Sequence, residues 1–143
     1  MNAGKTNCES CAISLVLRLA MASLFIAAVV PKYMGGFESL VTNFETTFKA
    51  SWLPMPLVTL QARLLPYIET LIPLWLLAGY RLRLGWFVTG VFLVSLAFGM
   101  LVLQQGAVAA TNYFYVLLAC VGLYFSPFDR LSVDGFLRKK AEA

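Results

Sequence analysis

The sequence predicts an all-α fold: a four-transmembrane-helix antiparallel bundle, with an outer amphipathic interfacial helix between the first and second spans. Of the 143 residues, 60% are apolar and 13% are charged, against about 45–50% and about 25% in soluble domains. The mean hydropathy of +0.79 is too high for a small soluble domain, whose surface is large for its volume. Four segments also approach the length of about 20 apolar residues that a membrane-spanning helix needs.

The four predicted spans set the domain organisation. They cover residues of about 13–30, 57–80, 86–103 and 108–125. We therefore expect one transmembrane domain over residues 13–127, a cytoplasmic N-terminal tail over 1–12 and a basic cytoplasmic tail over 128–143. Arg18 lies in the middle of the first apolar segment, which is the wrong pattern for a signal peptide. The first segment is therefore interpreted as a retained helix.

The composition also excludes several classes of site. The sequence contains no histidine, which excludes Ser-His and Cys-His catalytic arrangements, His-ligated haem and most catalytic zinc sites. The net charge is +4, but the basic residues are scattered or terminal. No basic face on a soluble fold is available for nucleic acid. We expect no metal site and no nucleic-acid partner.

The distribution of Lys and Arg predicts the orientation. With both termini on one side, seven basic residues outside the spans lie on that side and two lie on the other: Lys5, Arg81, Arg83, Arg130, Arg138, Lys139 and Lys140 against Lys32 and Lys49. Cytoplasmic loops carry the excess of positive charge. Both termini are therefore predicted to be cytoplasmic.

The long outer segment after the first span has its own periodicity. Apolar residues recur at helical spacing between Phe37 and Phe48, with Glu38, Asn43 and Glu45 on the other face. This pattern is typical of an amphipathic helix at the membrane interface. Two interpretations stay open at this point, an anchor that connects two spans and a lid over an outward-facing site, and the anchor is favoured.

Polar residues inside the second span form the candidate site. At 100° per residue, one face of this helix carries Arg63, Tyr67 and Glu69, with Pro66 and Pro73, and is predicted to face inward. The opposite face, with Leu65 and Ile72, is predicted to meet lipid. A carboxylate at membrane depth needs a partner or a proton. The natural partner of Glu69 is predicted to be Arg18 of the first span. The cluster Arg18, Arg63, Tyr67 and Glu69 could bind a quinone head group and move protons, or it could be a buried ion pair that fixes helix packing.

The three cysteines give a weak redox signal. Cys8 and Cys11 form a CxxC pair before the first span, whereas Cys120 lies alone in an apolar segment. Two thiolates are too few for a zinc or iron–sulfur site, and the predicted cytoplasmic side keeps thiols reduced. We interpret the pair as incidental, with a redox pair as the alternative.

Short motifs along the chain resemble those of the DoxX-like membrane proteins. They are Arg18-Leu19-Ala20, Leu24-Phe25, Pro31-Lys32-Tyr33, Leu53-Pro54-Met55-Pro56, Pro66-Tyr67-Ile68-Glu69, Asn112-Tyr113 and Leu131-Ser132-Val133-Asp134. The resemblance extends from about Arg18 to Asp134. The Cys8 and Cys11 pair is not part of it.

The resemblance implies a four-helix bundle in a bacterial or archaeal cytoplasmic (inner) membrane. The DoxX and DoxD group includes membrane subunits of a thiosulfate:quinone oxidoreductase, also described as part of a terminal quinol oxidase. The related MauE proteins are implicated in maturation of a disulfide-containing dehydrogenase. The implied function is a membrane subunit of a quinone-linked respiratory or sulfur-oxidising oxidoreductase complex. The implied cofactor is a quinone, with none bound covalently.

The implied partners are the lipid bilayer and either other subunits of a membrane complex or further copies of the chain. Two other functions stay open: a non-catalytic structural or assembly subunit, and a thiol-disulfide redox helper. A transporter is a weaker option, because four spans would need to dimerise to form a path. Whether the chain is itself an enzyme is left open by the resemblance.

Overall fold

The computed structural model describes the backbone of residues 3–129 and 132–134, and the side chains of residues 9–129 and 132–134. Over these described residues, the chain forms five α-helices and a 3-10 turn: α1 (Ala3–Gly35), α2 (Phe37–Phe48), α3 (Met55–Ala78), α4 (Leu82–Val102), α5 (Gly106–Phe125) and η1 (Ser126–Phe128). No strand occurs among the described residues. The predicted all-α class is confirmed.

Helix α1 is longer than the segment 13–30 predicted from hydropathy. It has 33 residues and includes Pro31, so it is about 50 Å long at 1.5 Å per residue. Proline removes one backbone hydrogen bond, yet the helix continues for another turn. It ends before Gly36, whose φ of +83° is a conformation that glycine adopts without strain.

In the part of the chain that the structure describes, three helical segments are long and apolar enough to cross a membrane: Glu9–Gly35, Leu82–Val102 and Gly106–Phe128. Helix α3 has 24 residues, or about 36 Å, which is also long enough. It is less apolar because it contains Gln61, Arg63, Glu69 and two internal prolines. Helix α2, with 12 residues, is too short to cross.

The long helices pack mainly as two pairs, α1 with α3 and α4 with α5. Helices α4 and α5 approach closely where Gly122 faces the buried ring of Trp86. A Cβ atom at position 122 would lie 2.4 Å from that ring, so only glycine fits there. Phe25, Leu76 and Leu93 join Trp86 in the buried core between the two pairs.

The outward faces of the helices are apolar. Large apolar side chains such as Val16, Leu71, Phe114 and Leu117 are more than half exposed. Single exposed apolar residues are common in soluble proteins, but here they cover the outward surface of every long helix. An apolar outer surface of this kind is stable in contact with lipid. Together with the long apolar helices, it makes the chain an integral membrane protein.

Candidate functional site

Arg18 is buried at the end of helix α3, not beside Glu69. Its Nε donates to the carbonyl of Leu76 at 2.7 Å, and its Nη2 donates to the carbonyl of Leu77. Its Nη1 lies 2.9 Å from Oδ2 of Asp129. Ser14 Oγ, one turn earlier on α1, donates to the same Oδ2 at 3.0 Å. We call Ser14, Arg18, Asp129 and the two carbonyls the Arg18 cluster.

The Arg18 cluster neutralises the charge of Arg18 and provides hydrogen-bond donors for the carbonyls at the end of α3. The last carbonyls of a helix have no partner within it and carry partial negative charge. The guanidinium covers two of them in α3 and pairs with the carboxylate that follows η1. Arg18 is 3% exposed and the Asp129 side chain is 0% exposed. The cluster therefore joins α1, α3 and the segment after α5 through buried polar contacts.

Gly79 makes room for the Arg18 cluster. It ends α3 in the left-handed conformation, with φ of 69°, and its N–H donates to Trp75 O. A Cβ atom at this position would lie 2.6 Å from Ser132 Cβ and 2.9 Å from Arg18 Nη2. Both the backbone conformation and the space therefore require glycine.

The segment after α5 also caps the next helix. Asp134 Oδ1 accepts a hydrogen bond from the N–H of Arg81, and its Oδ2 accepts one from the N–H of Leu82, both at 2.9 Å. These N–H groups open α4 and have no partner inside the helix. A carboxylate at a helix N-terminus also interacts favourably with the helix dipole. Asp134 thus connects the segment after α5 to the turn between α3 and α4 through two hydrogen bonds.

Glu69 pairs with Lys32 near the other end of α1. The Lys32 Nζ atom contacts both carboxylate oxygens of Glu69. The hydroxyl groups of Tyr33 and Thr70 lie 3.1 Å apart, and Thr70 Oγ1 donates to the carbonyl of Pro66 at 2.7 Å. We call Lys32, Tyr33, Glu69 and Thr70 the Lys32 cluster.

The predicted pair of Arg18 with Glu69 is therefore wrong. Leu76 lies at the level of Arg18. Glu69 lies about 10 Å from Leu76 along the axis of α3, toward the N-terminus of that helix. Side chains on a helix lean toward its N-terminus, and α1 and α3 run in opposite directions. Arg18 consequently leans toward Asp129 and away from Glu69, whereas Glu69 and Lys32 lean toward each other.

The predicted polar face of α3 is only partly correct. Pro66, Glu69 and Pro73 are buried, as expected. Arg63 is exposed, and Tyr67 is 61% exposed with its ring stacked on Phe37 at a centroid distance of 5.7 Å. Arg63 and Tyr67 therefore do not join Arg18 and Glu69 in one inward cluster. The residues Leu65 and Ile72, predicted to face lipid, are instead buried in the core.

Sequence reasoning missed three residues that complete these clusters. Ser14 lies one helical turn before Arg18, so helical spacing could have joined the two. Lys32 follows Pro31, beyond the predicted span of residues 13–30, so the hydropathy pattern places it outside the membrane and predicts no partner for it. Asp129 comes directly after Ser126–Phe128, and no local pattern links it to Arg18, which is 111 positions away.

Cys11 and Cys120 are not members of either cluster. Cys11 is buried in α1 and Cys120 is exposed on α5, whereas the Cys8 side chain lies outside the described residues. The predicted redox pair therefore stays a prediction. Among the side chains that the structure describes, no three His, Cys, Asp or Glu residues come together as metal ligands would.

The comparisons with known proteins identify the family. No curated protein and no solved structure matches the chain. A family model described as DoxX matches residues 13–103. This match covers more than half of the 143 residues, including Arg18, Lys32 and Glu69. The chain therefore belongs to the DoxX family.

Proposed function

We propose that this chain is an integral membrane subunit associated with a quinone-linked respiratory or sulfur-oxidising oxidoreductase complex. The observation that carries the proposal is the Lys32 cluster. It places a carboxylate, an ammonium group and two hydroxyl groups within apolar helices. Ionisable groups at membrane depth are costly to bury and commonly functional. A quinone reaction needs a route for protons, and these groups can provide one.

Of the residues predicted for this role, Glu69 is central to the proposal. Its partner Lys32 is 22% exposed, so the ammonium group can move while the carboxylate stays buried. Tyr67 and Arg63 lie on the exposed side of the same helix and are available to a neighbouring subunit. Arg18 has a structural role, since carbonyls and a carboxylate already satisfy it.

The proposal includes the arrangement in the membrane. Helices α1, α3, α4 and α5 cross a bacterial or archaeal cytoplasmic membrane, α2 lies at its outer surface, and both termini are cytoplasmic. The asymmetry of Lys and Arg supports this orientation, because seven lie on the predicted cytoplasmic side, against Lys49 and the helical Lys32 toward the other side. Reporter fusions at the C-terminus and within residues 35–50 should report opposite sides, and an outward C-terminus would contradict the arrangement.

A non-catalytic structural or assembly subunit is the second candidate, and the Arg18 cluster favours it. A buried charge whose hydrogen bonds are all made is suited to fixing helix positions. A thiol-disulfide helper has less support, because reactive cysteines need partly exposed surroundings and Cys11 is buried.

The experiment that separates the two candidates is purification of the tagged chain from native membranes. We expect recovery with a quinol-reactive enzyme. Glu69→Gln should lower the quinol-linked turnover measured per molecule of that complex, because glutamine keeps the shape but cannot carry the proton. Recovery of the chain without such an enzyme, or unchanged turnover in the Glu69→Gln complex, would favour the structural subunit.

A further inference from the structure

A groove between α3 and α4 ends in a cavity beneath α2. The cavity has a volume of about 210 Å³. Phe44 and Phe48 on α2 and Phe98 on α4 line it, together with Gln61, Ser95 and Gly99. No charged side chain of the described residues lines it. Its size is below the range of about 300–1,000 Å³ typical of sites for drug-sized ligands, so it fits a single ring.

The rest of the groove is a continuous apolar slot. Two adjoining cavities of about 240 and about 400 Å³ share Ile68, Phe92 and Ser95 as lining residues. The first of them also shares Gln61 with the cavity beneath α2. The slot extends along α3 as far as Trp75. A long hydrocarbon chain would fit along it, with its end in the cavity.

The polar groups in the cavity point to a ligand. Gln61 makes no hydrogen bond to any residue of the described part of the chain, although its amide has two N–H donors and an acceptor. Ser95 Oγ already donates to Phe92 O at 2.7 Å. An amide in apolar surroundings is costly unless it is hydrogen-bonded. The unmatched Gln61 donors suit a carbonyl oxygen on the ligand.

We propose that the cavity beneath α2 binds a flat, carbonyl-bearing ring at the end of a long hydrocarbon tail, and that the α3–α4 groove holds the tail. This inference rests on the proposed function and deepens it, because a membrane quinone has this chemistry. A phospholipid also has carbonyls and long tails. The absence of charged lining residues and the three aromatic rings favour the flat neutral ring over a phosphate-bearing head group.

The test uses Trp52, whose ring lies against Phe98 with a centroid distance of 6.4 Å. Decylubiquinone is titrated into the purified full chain in detergent. Quenching of Trp52 fluorescence is obtained as the difference between wild type and Trp52→Phe. We expect saturable quenching in the wild type and about tenfold weaker binding in Gln61→Leu, since one hydrogen bond is lost. Quenching that does not saturate in the wild type would overturn the inference.

Two glycines supply a matched pair of variants. A Cβ atom at Gly99 would lie 3.7 Å from Phe48, and one at Gly90 would lie 3.7 Å from Ala119. Both positions therefore tolerate alanine, but only Gly99 lines the cavity beneath α2. Gly99→Leu should abolish the saturable quenching, whereas Gly99→Ala and Gly90→Leu should retain it. The thermal unfolding midpoint of each variant shows that it is folded.

The outcomes keep the two proposals distinct. Undiminished quenching in folded Gly99→Leu would overturn this inference and leave the proposed function standing, because that function depends on co-purification and turnover. Loss of quenching in Gly99→Leu, without any quinol-reactive enzyme in native membranes, would support the site and reject the complex. In vesicles of phosphatidylcholine, saturable quenching of Trp52 by decylubiquinone that persists in the wild type supports the ring site, and loss of the saturable quenching in these vesicles identifies a lipid site and overturns the inference.

Discussion

The Arg18 and Lys32 clusters are both ion pairs on helix α1, but they differ in how completely they are enclosed. In the Arg18 cluster, carbonyls and a carboxylate meet the guanidinium on several sides, and both charged residues are buried. In the Lys32 cluster, the carboxylate is buried while Lys32 is partly exposed. An enclosed pair suits a fixed structural role, and a half-open pair suits a role in which a charge or a proton moves.

The two clusters also connect different parts of the chain. The Arg18 cluster brings together α1, the end of α3 and the segment after α5. The polar contacts of the Lys32 cluster join α1 and α3. Loss of the first should therefore loosen three segments at once, whereas loss of the second should leave the α1–α3 contact supported by its apolar packing.

The largest predicted effect is that of Asp129→Asn. It removes the negative charge and leaves the buried guanidinium of Arg18 uncompensated, which costs about 3–5 kcal/mol when one partner of a buried pair is removed. We expect a large fall in protein level and in the thermal unfolding midpoint in detergent. The double variant Arg18→Met with Asp129→Met should recover much of the lost stability, since it removes both buried charges of the Arg18 cluster. An unfolding midpoint of Asp129→Asn equal to wild type would refute the structural role of the cluster.

Two glycines with positive φ allow a second comparison. Gly36→Ala and Gly79→Ala both impose a left-handed conformation on alanine, which costs about 1–2 kcal/mol. Position 36 has no heavy atom within 4 Å of the new Cβ, whereas position 79 has Ser132 and Arg18. The overlap should add about 1–3 kcal/mol at position 79. Equal unfolding midpoints of the two variants would show that Ser132 and Arg18 shift to accommodate the added Cβ atom without loss of stability.

A smaller loss of stability is expected from Glu69→Gln. The substitution matches Asp129→Asn chemically, but Lys32 can turn toward the surface once its partner is neutral. We expect a loss of about 1.5–3 kcal/mol, typical of a hydrogen bond to a charged group. Unfolding midpoints of the two variants under the same conditions provide the measurement. A loss at Glu69 as large as that at Asp129 would mean that the Lys32 cluster is as structural as the Arg18 cluster.

The sequence predicts the helices better than the partners of their charges. Apolar spacing locates Phe37–Phe48 with the bounds that α2 has, and the resemblance to the DoxX-like proteins is confirmed. Helical periodicity gives the angles between Arg63, Tyr67 and Glu69 but not which direction is the core, because leucines lie on several sides of α3. The partner of Arg18 depends on how the chain returns after α5, which no local pattern specifies.

The smallest predicted effect concerns the hydroxyl pair beside Glu69. Tyr33→Phe removes the contact between the Tyr33 and Thr70 hydroxyls, but the ring keeps its edge-on contact with Phe37 at a centroid distance of 5.2 Å. Since Thr70 still donates to Pro66 O, we expect a loss of about 0.5–1.5 kcal/mol. Tyr113→Phe is the control, because the Tyr113 hydroxyl makes no hydrogen bond within the described residues. If the two variants unfold at the same temperature, the Tyr33 hydroxyl adds no stability, and its place in the Lys32 cluster must be judged by quinol-linked turnover alone.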